Sequence, residues 1–253
     1  MRSALITACA GMVVVLCAQA QESPLTLGAG VHYSSGDYGS TIETRILSLA
    51  ATARYETGSW VYRATVPYLS VKGDTNVIPG VGQASGVPVR AGSEAGLGDI
   101  VLSATYAAYY NKATTLGMDL TAKLKLATAD ESKGLGTGEH DLVLLVELYQ
   151  TYERITGFGG VGFHILGDSP ALPLENAWSA SLGATYKLDE RDSVGAMLEG
   201  RQRVVAGGSR QRELVGFFTR KLDRLWKAQL YALLGMADGS PDWGAGLSLA
   251  RPF

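Results

Sequence analysis

Polar and apolar side chains alternate with a period of two along most of the chain, the spacing at which successive residues of an extended strand point to opposite faces of a sheet. The clearest stretch places Leu116, Met118, Leu120, Ala122, Leu124 and Leu126 on one face and Gly117, Asp119, Thr121, Lys123 and Lys125 on the other. No helix keeps two such sets apart. The last stretch behaves likewise, with Trp243, Ala245, Leu247 and Leu249 against Gly244, Gly246 and Ser248. The pattern predicts twelve strands, near residues 25–33, 43–55, 60–71, 97–110, 115–127, 140–152, 154–166, 176–188, 193–204, 210–222, 225–236 and 242–253.

The links between them alternate in length. Short ones fall at 56–59, 111–114, 153–154, 189–192 and 223–224, and longer ones at 34–42, 72–96, 128–139, 167–175, 205–209 and 237–241. A soluble β-sandwich has no reason to keep that order, whereas an outer-membrane barrel has short periplasmic turns and longer external loops. The reading is therefore all-β: a single transmembrane antiparallel up-and-down β-barrel in the bacterial outer membrane, both termini in the periplasm. The aromatic residues agree. Trp60, Trp178, Trp226 and Trp243 are in phase with the apolar face and near strand ends, where amphipathic rings suit the headgroup region. Tyr33 and Tyr68 join Trp178 and Trp243 at the expected outer rim; Tyr55, Trp60, Tyr110, Tyr152, Tyr186, Trp226 and Phe253 mark the inner one.

The first twenty residues read differently. Arg2, an apolar run over 4–17 and the small-x-small pattern Ala18-Gln19-Ala20 form a signal peptide, because roughly 14 apolar residues are too few for a spanning helix. The expected division is 1–20 signal peptide and 21–253 barrel. Both cysteines, Cys9 and Cys17, fall in the first part, so the barrel has no thiol for a disulfide, a zinc cage or a nucleophile. Without Arg2 the chain carries 21 basic and 24 acidic residues, which gives no basic face for nucleic acid.

Chemistry must lie on the face opposite the apolar one. By parity it carries Arg54, Arg63, Asp99, Asp119, Lys123, Lys125, Asp141, Glu147, Lys187, Glu199, Arg201, Arg203, Glu213, Lys221 and Lys227. Lysine or arginine facing lipid at the membrane midplane costs about 2–4 kcal/mol, so these residues line a wet or salt-bridged interior. Arg54, Arg63, Asp119, Lys123, Lys125, Glu147, Glu199, Arg201, Arg203 and Lys227 are the candidates for a solute path. Gathering of Lys123, Lys125, Arg201 and Arg203 points to a modest preference for anionic solutes. The link 72–96 is apolar for its length, with Val77, Ile78, Pro79, Val81, Val87, Pro88 and Val89, and folded inward it would constrict the lumen.

Three segments carry a resemblance: Gly96-Leu97-Gly98-Asp99-Ile100; Trp60-Val61-Tyr62-Arg63 running on to Val66-Pro67-Tyr68; and KLKLATADESKGLGTGEHD over 123–141. Together they resemble the outer-membrane transporter family of the meta-pathway of phenol degradation, over most of the mature chain. Ala127-Thr128-Ala129-Asp130 departs from that family's proline-threonine-glycine-aspartate pattern. The resemblance implies uptake of aromatic or other small hydrophobic compounds and supplies no binding residues.

An outer-membrane enzyme acting on lipid is the competing class, and it needs a nucleophile beside a base. His32-Tyr33-Ser34 puts both polar groups on the interior face, His140 lies with Asp141 at a loop edge, and His164 has no serine partner legible in the sequence. No metal spacing, phosphate loop or dinucleotide fingerprint appears. The reading is a passive channel for small molecules, without catalysis, cofactor or metal; a structural barrel with a closed lumen is a further alternative. Its partners are a small solute, outer-membrane lipid and the barrel-assembly machinery, for which Phe253 is the expected assembly signal. Removing Phe253 should lower assembly, measured as the fraction of heat-modifiable protein in the outer membrane; normal insertion would contradict this.

Overall fold

The computed structural model describes residues 3–4, 16–17, 24–83, 91–169 and 172–253. The expected cleavage junction after Ala20, and Val87, Pro88 and Val89, lie outside them. Twelve strands form one antiparallel sheet: β1 (Leu25–Gly36), β2 (Thr44–Thr57), β3 (Trp60–Asp74), β4 in two pieces (Ala91–Leu97 and Ile100–Tyr110), β5 (Leu116–Leu126), β6 (Asp141–Tyr152), β7 (Ile155–Ile165), β8 (Ala177–Lys187), β9 (Asp192–Arg201), β10 (Gln211–Lys221), β11 (Lys227–Gly235) and β12 (Trp243–Pro252). Each strand pairs with its sequence neighbours, and β12 pairs with β1 from Trp243↔Ser35 to Pro252↔Thr26. The sheet is closed, so it has no edge and can satisfy its backbone within lipid.

The short turns are built by local chemistry. Asp189 Oδ1 accepts the backbone N–H groups of Arg191 and Asp192, each at 2.7 Å. Asp223 Oδ1 does the same for Leu225 at 2.7 Å and Trp226 at 2.8 Å, and Asn111 Oδ1 for Ala113 at 2.9 Å. These are Asx turns, the reason Asp and Asn start tight reversals. The donated bonds hold both aspartate carboxyls below their usual range, so the turns keep this form until acid protonates them.

Burial is inverted relative to a soluble protein. On β6, Leu144, Val146 and Leu148 are exposed while Val143, Leu145, Glu147 and Tyr149 are buried. All four tryptophans are exposed, and Trp60, Trp178 and Trp243 pack on Tyr106, Phe163 and Tyr33. Tyr110 departs from the expected girdle. Met118 pairs with Tyr109 but Asp119 with Ala107, so Ala108 is an extra residue. That bulge flips the phase: Tyr109 faces outward and Tyr110 packs against the interior cluster.

The cluster consists of Tyr149, Phe158, Met197, Val215, Phe217, Tyr231 and Leu233, all on β6–β11. Its four rings each lie beside a glycine directly opposite on the next strand: Tyr149↔Gly117, Phe158↔Gly183, Phe217↔Gly195 and Tyr231↔Gly246. A Cβ at any of these glycines would overlap the ring. Interior glycine here is space for an aromatic neighbour, which lets bulky rings lie flat along the wall. Gly195→Ala should destabilise the barrel by about 1–3 kcal/mol through overpacking. The loss should shrink in a Phe217→Leu background, measured by urea unfolding in lipid; simple additivity would show that ring and glycine do not share space.

Candidate functional site

Rings crowd one side of the lumen and leave the other to small residues. A cavity of about 340 Å³ runs there, from Ile78–Gly82 near the long loops to Thr26, Arg54 and Ala250 near the opposite rim. Ser48, Thr52, Thr65, Ser103 and Ser248 line its middle. Its volume is that of a site for a small organic molecule.

A hairpin pairing Val77–Ile78 with Gly82–Gln83 roofs the cavity. Gly80 and Gly82, at φ 82° and 99°, supply the left-handed backbone its turn requires. Val77 is buried among Tyr38, Ile46, Leu69, Val71 and Leu135 on one side of the mouth; Val81 packs against Leu174, Ala177, Val204 and Val205 on the other. Buried Asp74 fastens the base, accepting from Ser40 Oγ at 2.6 Å, Asn76 N–H at 2.9 Å and Gln83 Nε2 at 3.3 Å. Burial raises the Tyr38 hydroxyl to about 12, so it stays neutral under the roof.

Five cations line the cavity, Arg54, Arg63, Lys123, Lys125 and Arg201, with three carboxylates, Asp99, Asp141 and Glu213. Lys125 Nζ is held by Thr137 Oγ1 at 2.7 Å, Asp141 at 2.8 Å and Asp99 at 3.4 Å. Asp99 also accepts the N–H groups of Thr128 at 3.1 Å and Ala129 at 2.9 Å. Arg54 pairs with Glu56 and lies directly opposite Arg63, which Glu147 attracts electrostatically. Asp119 and Glu147 are opposed and buried on β5 and β6, and Glu199 and Glu213 are opposed on β9 and β10. Arg201 reaches the Val81 carbonyl of the roof at 3.5 Å. Glu147, Glu199, Arg201 and Glu213 share a second, smaller pocket of about 50 Å³.

Two candidates stand apart. β9 ends at Arg201, so Arg203 is in the following loop, exposed, 3.7 Å from Glu175. Lys227 lies opposite Lys221 at the first residue of β11. Phe253 is exposed, its N–H bonded to the Leu25 carbonyl at 2.8 Å and its ring 4.9 Å from the Arg251 guanidinium carbon.

His32 bonds Tyr231 Oη at 2.7 Å, and His164 Nε2 lies 2.9 Å from Ser179 Oγ. That serine was hidden from sequence reading because it belongs to the next strand, and both groups face the lumen, away from lipid. Among the described residues no group of three or more His, Cys, Asp or Glu is placed to hold a metal.

A closed twelve-stranded barrel with an apolar outer face and a charged, roofed lumen is the architecture of an outer-membrane β-barrel protein. Residues 21–249 match the family described as "Putative MetA-pathway of phenol degradation", and the chain belongs to that family of outer-membrane, porin-like proteins. Solved barrels share the fold at low identity. The KdgM porin aligns with a TM-score of 0.56 at 9% identity, covering 89% of this chain and 99% of that one. The translocator domain of the autotransporter NalP from Neisseria meningitidis gives 0.55 at 10%, covering 92% and 90%. A deltaS2S3 mutant of the monoaromatic hydrocarbon channel TodX gives 0.51 at 12%, covering 93% and 91%. No curated protein matches the chain.

Lys125→Met leaves Asp99 and Asp141 without their shared cation and should cost about 3 kcal/mol. Lys125→Met with Asp99→Asn should recover part of it in urea unfolding; an unchanged midpoint for the single variant would show that the pairing is not structural.

Proposed function

We propose that the barrel is a passive channel for small molecules with an apolar body, aromatic compounds among them, driven by the solute gradient alone. The observation that carries this reading is the cavity, which joins the roof hairpin to residues within two positions of the far rim along the small-residue wall of β12, β1 and β2. Cations outnumber carboxylates on its surface by five to three, which supports a modest preference for anions; the acidic partners Glu56, Asp119, Glu147 and Glu199 moderate it. In the orientation we propose, short turns and both termini lie in the periplasm, the signal peptide is removed, and solutes enter beneath the hairpin from outside. Family membership supports the link to aromatic compounds.

A second reading rests on His164 and Ser179, the pair a hydrolase would need. Fatty-acid release from lipid by the pure protein, lost in Ser179→Ala, would favour it.

Deleting 75–89 should raise single-channel conductance by removing the roof; unchanged conductance would show that the loop does not constrict the lumen, and no conductance from either protein would contradict the channel reading. Reversal potentials in a salt gradient should indicate weak anion preference, shifting toward cations in Arg63→Gln; cation preference in the parent protein would overturn that part.

A further inference from the structure

The three sequence segments that carry the family resemblance lie far apart in the chain and meet at one place in the wall. Val66-Pro67-Tyr68 and Gly96-Leu97-Gly98-Asp99-Ile100 form the two sides of the β3–β4 ladder, and 123–141 supplies what holds it. The ladder is interrupted there. Pairing stops at Thr65↔Val101 and resumes at Tyr68↔Leu97, leaving two residues on β3 against three on β4.

The interruption is chemically supported. Pro67 has no N–H to leave unpaired, and its carbonyl takes the Gly98 N–H at 2.9 Å. The Ile100 N–H turns away to Thr128 Oγ1 at 2.9 Å, and the same hydroxyl donates to the Gly98 carbonyl at 3.1 Å. Asp99 is drawn inward to Thr128, Ala129 and Lys125. Backbone polar groups at lipid depth must be satisfied, and this arrangement pairs the Gly98 N–H and carbonyl, the Pro67 carbonyl and the Ile100 N–H without the ladder.

The break lies at the level of the cavity, which Thr65, Pro67, Leu69, Asp99 and Val101 line. On the other side of the same wall Val66, Tyr68, Leu97 and Leu102 face lipid. Between them is Gly98, where an added Cβ would fall 2.8 Å from Leu69 Cδ1 and 3.0 Å from Pro67 Cγ. At the break, residues 66–67 and 98–100 lie outside the β3–β4 register, and the Leu69 and Pro67 side chains packed against Gly98 stand between the cavity and the lipid.

Toward the far rim the cavity is lined by Arg54 and Arg63, which lie directly opposite each other. A charged or polar solute can exchange water for those groups; an apolar one would strip them of water with nothing in return.

We propose that the β3–β4 break is a side port, through which an apolar solute passes between the cavity and the surrounding lipid while anionic solutes follow the axial path past Arg54 and Arg63. This rests on the channel reading above and deepens it by assigning two solute classes to two exits.

The test is a reversible lock beside the break. Tyr68 and Leu97 are directly paired and lipid-facing, and such a pair lies within disulfide reach. Both native cysteines precede Ala20, so in the secreted chain Tyr68→Cys/Leu97→Cys would add the sole thiols, with heat-modifiable migration verifying folding. Uptake of labelled toluene and benzoate is measured in cells with a lipopolysaccharide outer leaflet, oxidised and then reduced. Oxidation should lower toluene uptake several-fold toward that of cells lacking the barrel and leave benzoate unchanged, and reduction should restore toluene. Equal toluene uptake in both states overturns the port, as does a parallel fall of both solutes, which would indicate one shared axial route. A parent barrel admitting neither solute overturns the channel reading itself. Ala64→Cys/Leu102→Cys, paired on the other side of the break, repeats the test should the first variant not assemble.

Discussion

Pairing of β12 with β1 is the constraint on which the rest of the molecule depends. In hydrocarbon an unpaired backbone N–H or C=O finds no water, so a strand with a free edge could not remain there. Closure removes the edge and divides the side chains into two sets with opposite environments. Leu144, Val146 and Leu148 meet lipid, while alternation along the strand turns Val143, Leu145 and the charged Glu147 inward. Every functional assignment above follows from that division.

Once closed, twelve strands enclose more interior than a single layer of side chains fills uniformly, and the sequence fills it asymmetrically. Rings beside cross-strand glycines occupy the β6–β11 side. Small and polar residues on β12, β1 and β2 leave the cavity. Charges hold the two sides in position: Lys125 ties β4, β5 and β6 together through Asp99 and Asp141. The roof hairpin is fixed differently, by one apolar residue at each side of the mouth, Val77 and Val81, and by Asp74 at its base.

Much of this was legible in the sequence, and the failures have identifiable causes. Period-two alternation located β5 at Leu116–Leu126, and Asp and Asn at the short links marked the turns. Parity failed at Tyr110 because Ala108 is a bulge, and one extra residue reverses every face beyond it. It failed at Arg203 because β9 ends two residues earlier, in a segment that alternation alone would extend. The break at Gly98 and Asp99 was hidden because the side chains that support it, Thr128 and Lys125, are a strand or a loop away. His164 with Ser179, and the two ends of the hairpin, depend likewise on which strands become neighbours and in what register.

The most direct measurement compares two adjacent residues of β2 that differ only in face. Ser48 lines the cavity and Leu49 faces lipid. Single-channel current through Ser48→Cys should fall when a charged, water-soluble thiol reagent is added, while current through Leu49→Cys should not change. Block of Leu49→Cys, or passage undisturbed in Ser48→Cys after verified labelling, would contradict the account that this lumen is the solute path.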